Sequence, residues 1–361
     1  MGSENLEPLL LTLINNKGSD LHLIPGHKPS IRIDGELYPL EYPTLTGKMI
    51  ETLCMPYLDN KDLEKLKKGV EVDGVAILEG KGRFRFNIYL SMGEMAAAFR
   101  LIPIKIPRLN ELFAPEVFAK LMEHQRGLIL VTGPTGSGKS TTLAAMLHEA
   151  NLTQSRHIIT VEDPVEFFHN PIKCNISHRQ VERDTENFAT ALKYALRQDP
   201  DIILVGEMRD KETISAALTA AETGHLVLST LHTNSAPRTI HRIVDSFNAE
   251  EQNQVRAMLA DSLIAVIAQS LLPKIGGGRT AVWEIMITNN AIANLIREGK
   301  IHQIYSTMQL GRGESQMQTQ SENLARLIRE GVIDVKTAFK YALYPEELKT
   351  LIPPHLYNGI A

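Results

Sequence analysis

Cysteine is nearly absent from this chain: Cys54 and Cys174 are the only two among 361 residues. Two distant thiols without Cys-x-x-Cys spacing exclude a disulfide framework and are expected to be free in a reducing cytoplasm. No apolar run approaches the ~20 residues that a bilayer-crossing helix needs. The opening stretch, "MGSENLEPLL", lacks the basic and apolar regions of a signal peptide. No block of lysine or arginine occurs and the net charge is −4, so the bulk electrostatics do not point to nucleic acid. That exclusion is partial, because a local basic patch can hide in a neutral total. No internal repeat or low-complexity segment stands out. A cytosolic globular protein is what remains.

What is present has the balance of such a protein, with 43% hydrophobic and 22% charged residues. The length favours two domains. We expect a small N-terminal α+β domain over 1–102, a linker over 103–115 and a larger domain over 116–361. In the first part, "SIRIDGELYPL" reads as two strands around an Asp34-Gly35 turn. "MIETLCMPYLDNKDLEKLKKG" reads as one amphipathic helix ended by Gly69, and "GRFRFNIYLSMGEMAAAFRLIP" as a hairpin turning near Gly93. Pro103, Pro107 and Pro115 favour extended backbone between the parts.

Beyond about residue 120 the rhythm changes. "GLILVTG", "HIITVED", "DIILVGE" and "HLVLSTLH" are short and almost wholly apolar, as strands covered on both faces must be. Helical segments alternate with them, one carrying Asp210 as N-cap and Gly224 as a stop. The pattern predicts a parallel α/β sheet. After Gly276-Gly277-Gly278 come one more strand, "TAVWEIM", and then helices.

Gly133 to Ser140, "GPTGSGKS", fits G-x-x-x-x-G-K-[ST] without a mismatch, with a strand before it and a helix after. Glycines let successive backbone N–H groups converge on one concavity, and the helix N-terminus adds positive potential. The predicted nucleotide-binding set is Gly133, Pro134, Thr135, Gly136, Ser137, Gly138, Lys139, Ser140 and Thr141. Lys139 would reach the β- and γ-phosphates of ATP, and the Ser140 hydroxyl would ligate Mg²⁺. The ordinary alternative is a glycine-rich turn.

Phosphoryl transfer also needs a carboxylate on the metal and one that activates water. Glu207 follows four apolar strand residues, where a Walker-B acid would sit, while Glu162 and Asp163 end another strand. Ligands of open parallel sheets bind at such strand ends. Taken alone, either acid could equally be a helix cap or a solvated rim residue.

His225, His232 and His241 crowd one stretch, but intervals of seven and nine residues do not suit a metal set on one strand face. His225 opens a strand and His232 leaves it, which places His232 at the crevice beside a γ-phosphate or catalytic water. His241 falls on a predicted helix beyond Pro237 and reads as an ordinary satisfied polar residue. For an arginine finger, the first domain offers Arg83 and Arg85 on one face of a strand and Arg100 on the next. A solvated polar face explains them equally well. If they are fingers, supply in trans by a neighbouring subunit would imply a ring.

The sequence resembles the type IV pilus retraction ATPases of the secretion ATPase superfamily along nearly its whole length. The matching pieces are "KGSDLHL", "GPTGSGKSTT", "ITVEDPVEF", "ALRQDPDIILVGEMRD", "TGHLVLSTLHTN", "AIANLIREGKIHQI" and "QMQT". The resemblance implies a PAS-like domain followed by a RecA-like ATPase domain, in a homohexamer. It implies Glu162 as catalytic base, Glu207 on magnesium, His225 and His232 as His-box residues, and Arg85 and Arg100 as fingers. Its partners would be an inner-membrane pilus platform protein and a paralogous retraction ATPase. It would involve no nucleic acid and only peripheral association with the cytoplasmic face of a bacterial inner membrane. Ala293 stands where the family typically has arginine, in what reads as an amphipathic helix with Ile292, Leu295 and Ile296 on its apolar side. Two lone cysteines argue against the assembly and secretion relatives, which usually carry a paired-cysteine zinc insertion. Three functions therefore compete. They are a retraction motor, a motor of the same superfamily serving assembly or secretion, and a RecA-like DNA motor whose turnover DNA would stimulate.

Overall fold

A computed structural model of the chain describes residues 5–33, 35–102, 105–310 and 316–356. Asp34 of the expected turn and Pro103 of the expected linker lie outside the described residues. The chain forms two compact units, Met1–Lys105 and Ile106–Ala361.

The first unit is built on strands β1 (Asp20–Leu23), β2 (Ser30–Ile33), β3 (Glu36–Pro39), β4 (Val72–Leu78), β5 (Gly82–Ser91) and β6 (Glu94–Ile102). They lie in the order β3-β2-β1-β6-β5-β4, every neighbouring pair antiparallel. On β5 the alternation of "RFRFNI" puts Phe84, Phe86 and Ile88 wholly in the core beside Phe99 and Leu21. The β5–β6 turn is the two-residue loop Met92-Gly93, with φ of 53° and 84°. Positive φ at both positions matches the right-handed twist of the two strands, and glycine accepts it at no steric cost.

The helix expected across residues 49–69 is instead two, Gly47–Cys54 and Asn60–Lys67. Pro56 cannot donate a backbone hydrogen bond, and Asp59 starts the second helix in a capping box with Asp62.

The second unit holds β7 (Gly127–Thr132), β8 (His157–Glu162), β9 (Asn175–Gln180), β10 (Ile202–Val205), β11 (Leu226–Leu231), β12 (Leu263–Pro273) and β13 (Arg279–Ile287). Their order is β13-β12-β7-β11-β10-β8-β9, parallel apart from β13. Side chains alternate between two cores. Leu128, Leu130, Ile203, Val205 and Val227 pack with the helices Lys211–Glu222 and Ala236–Asp245. Ile129, Val131, Ile158, Leu204 and Leu228 pack with the helix Lys139–Thr153, Phe118 and Trp283. Leu109 is buried in that second core, so much of the expected 103–115 linker packs as part of this unit.

Four strands escaped the sequence reading, β1 and β4 in the first unit and β9 and β12 in the second. β12 follows the helix Ala249–Ser262 without a break, and its apolar run continues as a buried helix would. β9, "NISHRQ", is too polar to read as a sheet strand, since it lies at the edge beside β8 alone.

Candidate functional site

The phosphate loop leaves the end of β7 and feeds the helix Lys139–Thr153. Gly133 has φ of 144°, and a Cβ there would lie 2.1 Å from the Gln269 carbonyl oxygen. Glycine is required by contact as well as by conformation. Gln269, on β12, ties the loop from behind. Its Nε2 donates to the Ser137 carbonyl at 2.7 Å, and its Oε1 accepts from the Thr142 hydroxyl at 2.7 Å. This buried glutamine lies 127 residues from Thr142 in sequence and carries no motif, so only the fold reveals it.

Lys139 is 9% exposed, and its ammonium donates to the carbonyls of Gly133 at 2.9 Å and Pro134 at 3.0 Å. Burial lowers its pKa, opposed by the charges of Glu207 and Glu166. Gly138 and Thr141 also line a cavity of about 810 Å³, together with Phe113, Leu271, Ile275, Arg279 and Arg326. Such a cleft has the volume and mixed lining of a small-molecule site.

The two acids stand at neighbouring strand ends. Gly206 follows β10, its N–H donates to Val161 of β8 at 2.8 Å, and a Cβ on it would be 3.3 Å from Glu162 Cα. Glu162, Ser140, Gly206, Thr230 and His169 line a small cavity of about 30 Å³. A space of that size holds about one water. Burial raises the Glu162 carboxyl to about 7, against hydrogen bonds from Thr160 and Glu166 that pull it down. A carboxylate titrating there is suited to take a proton near neutral pH. Glu207, mostly buried, lies 2.6 Å from Arg209 Nε and 3.5 Å from His232 Nε2. Arg209 is a further residue that its position in "GEMRD" did not single out.

The histidines separate. His232, half-exposed, leaves β11 at the crevice end beside Glu207. His225 lies at the other end of that strand. Its carbonyl accepts from the N–H of Gly127, where β7 begins, and its Nδ1 is 3.0 Å from the Ala220 carbonyl. The crevice of its own chain is therefore not where His225 sits. His241 pairs with Asp245 at 2.6 Å, one turn along an exposed helix face. Among the described residues, no group of three His, Cys, Asp or Glu is arranged to hold a metal ion.

In the first unit, Arg85 and Arg100 are direct cross-strand partners on β5 and β6. Arg83 lies two residues before Arg85 on the same face.

A phosphate loop at the centre of a parallel sheet, flanked by acids at neighbouring strand ends, defines a P-loop ATPase of the RecA-like class. Residues 109–277 match the family described as Type II/IV secretion system protein. The type IV pilus retraction ATPase PilT of Pseudomonas aeruginosa is 49% identical over 342 residues, covering 95% of this chain and 99% of that one. A twitching motility protein of Neisseria gonorrhoeae is 47% identical, over 89% of this chain and 86% of its own. A crystal structure of the pilus retraction motor PilT with bound ADP superposes with a TM-score of 0.90 at 45% identity, covering 96% of this chain and 99% of the other. The chain belongs to the family of type IV pilus retraction ATPases.

Proposed function

We infer that this chain is an ATP-hydrolysing motor for pilus retraction. The observation that carries the reading is the junction of an intact phosphate loop with Glu162, which lines a small cavity shared with Ser140. Backbone N–H groups of Gly133–Ser140 and the Lys139 ammonium bind the phosphates. Glu162 accepts the proton of the attacking water, a role its raised pKa suits. His232 reports the γ-phosphate side to Glu207.

Magnesium fits the oxygen donors present. The Ser140 hydroxyl would hold it directly and Glu207 through water, as hard ligands for a hard ion. When bound, it offsets charge on the β- and γ-phosphates.

Further parts of the reading rest on family likeness. They are a homohexamer, a PAS-like first unit, and Arg85 and Arg100 acting on a neighbour's nucleotide. They also include docking to an inner-membrane platform protein at the cytoplasmic face, with a paralogous ATPase as a companion. No helix among the described residues is long and apolar enough to cross a membrane, which fits peripheral association. Ala293 is buried with Ile292 and Ile296 in the second unit's core, so that position faces inward rather than toward a partner.

Deleting the gene is the test. Cells that become hyperpiliated and cease to twitch are expected. Normal twitching, with ATPase activity intact in the purified protein, would move the motor to assembly or secretion.

A further inference from the structure

A histidine-rich layer flanks Glu162. His178 lies on β9 directly opposite Thr160 on β8. Thr160 and Glu162, two residues apart on that strand, share one face of the sheet. The His178 ring stacks on His169, with centroids 5.9 Å apart and planes 15° from parallel, and is flanked by Phe168 at 5.1 Å.

Both ring nitrogens of His178 are engaged. The backbone N–H of His169 donates to Nε2 at 3.1 Å, and Nδ1 lies 2.9 Å from Thr160 Oγ1. A backbone N–H can only donate, so Nε2 accepts and the single proton of the neutral ring is on Nδ1. Nδ1–H therefore donates to Thr160 Oγ1. The hydroxyl keeps its own proton, free to turn to the Glu162 carboxyl on the same strand face, whose pKa Thr160 lowers. Direct contact is not the link, because His178 Nδ1 and Glu162 Oε1 are 4.0 Å apart. The other oxygen, Oε2, accepts weakly from the Glu166 N–H at 3.5 Å.

We propose that Thr160 and His178 are positioning residues for Glu162, through a directed chain from the His169 backbone N–H to His178, to the Thr160 hydroxyl, to the carboxylate. The chain rests on Glu162 being the base, as inferred above. Its polarity is set at one end by an amide that cannot reverse, so the hydroxyl proton is left to the carboxylate. That anchor holds the carboxylate in one rotamer while its remaining lone pairs face the small cavity shared with Ser140. An unanchored carboxylate would spread over several orientations, and small misplacements of a catalytic group cost rate rather than binding.

Steady-state ATPase kinetics and ADP affinity of the full chain test this. Thr160→Val, which keeps the shape and removes the hydroxyl, should lower kcat about tenfold, the scale of one hydrogen bond to a charged group. KM for ATP and ADP affinity should not move. Thr160→Ser should recover most of the loss. His178→Leu should behave like Thr160→Val, and His178→Gln, whose amide both donates and accepts, should stay near wild type. In a Glu162→Gln background, Thr160→Val should add nothing. Wild-type kcat in Thr160→Val beside an inactive Glu162→Gln overturns the positioning chain alone. Near-normal turnover in Glu162→Gln overturns the role of Glu162 beneath it. A loss that Thr160→Ser shares, or that ADP affinity follows, assigns the effect to packing and overturns the proposal too.

Discussion

Arg85 and Arg100 stand opposite one another on β5 and β6, and each is turned to a carboxylate of its own sheet. Arg100 Nε lies 2.7 Å from Asp20, and Arg85 lies 3.7 Å from Asp73. Two like charges directly across a ladder repel, and the flanking acids offset that repulsion. Arg100 is 70% exposed even so, which leaves its guanidinium accessible to a partner.

If these arginines complete a neighbour's site, the Arg85→Ala/Arg100→Ala double mutant should bind ATP yet lose about 10³–10⁵ in turnover, the range of an arginine finger. Mixed with Glu162→Gln under conditions of subunit exchange, it should regain part of the activity. Mixed assemblies that form and stay inactive would exclude supply in trans. Asp20→Asn is the control for the pairing within the sheet.

Lys139→Ala should abolish turnover and weaken nucleotide binding, since the ammonium is the loop's positive charge. Glu162→Gln should keep binding and slow hydrolysis about 10²–10⁴-fold, the usual worth of a positioned base. Because burial raises the Glu162 carboxyl to about 7, wild-type kcat should rise with pH across that value as the base loses its proton. A flat profile from pH 6 to 8 would remove Glu162 from the role.

His232→Ala should cut turnover while ADP affinity holds, because the imidazole faces Glu207, on the side proposed for the γ-phosphate. Activity that follows added zinc, or is lost to a chelator in excess Mg²⁺, would restore a metal role for these histidines.

Removing the Gln269 side chain should loosen the loop from behind. Gln269→Leu strands the Ser137 carbonyl and the Thr142 hydroxyl, and each buried orphan costs about 1–3 kcal/mol. A lower Tm and a raised KM for ATP are expected together. An unchanged KM would show that the loop holds its shape without β12.

Glu284 supplies a pH dependence of stability. It is buried on β13 and accepts the Ala236 N–H at 2.7 Å, where the helix after the His box begins. Burial raises its carboxyl from 4.5 to about 7, the Ala236 N–H opposing and the Glu347 charge adding. A raised folded-state value gives stability that is complete below the unfolded value and lost as pH climbs through the folded one. Tm should fall between pH 5 and 8, and Glu284→Gln, which keeps an acceptor and cannot ionise, should make that fall shallower, with Glu162, also raised to about 7, supplying what remains, as thermal melts across the range would show.

Sequence by itself determined the phosphate loop, the parallel α/β sheet and the alternating faces of β5. Each depends on residue type at short, regular spacing, where glycine conformation, strand period and helix capping act locally. It also placed Glu162, Glu207 and His232 at strand ends, because an apolar run followed by a charge marks where a buried strand surfaces. Tertiary structure alone decided the rest. Sheet order set the β10 end against Glu162. Strand register put His178 against Thr160, and β12 brought Gln269 behind the loop. Those pairings join residues 18 and 127 positions apart, and their partners are chosen by how layers pack, which no local pattern encodes.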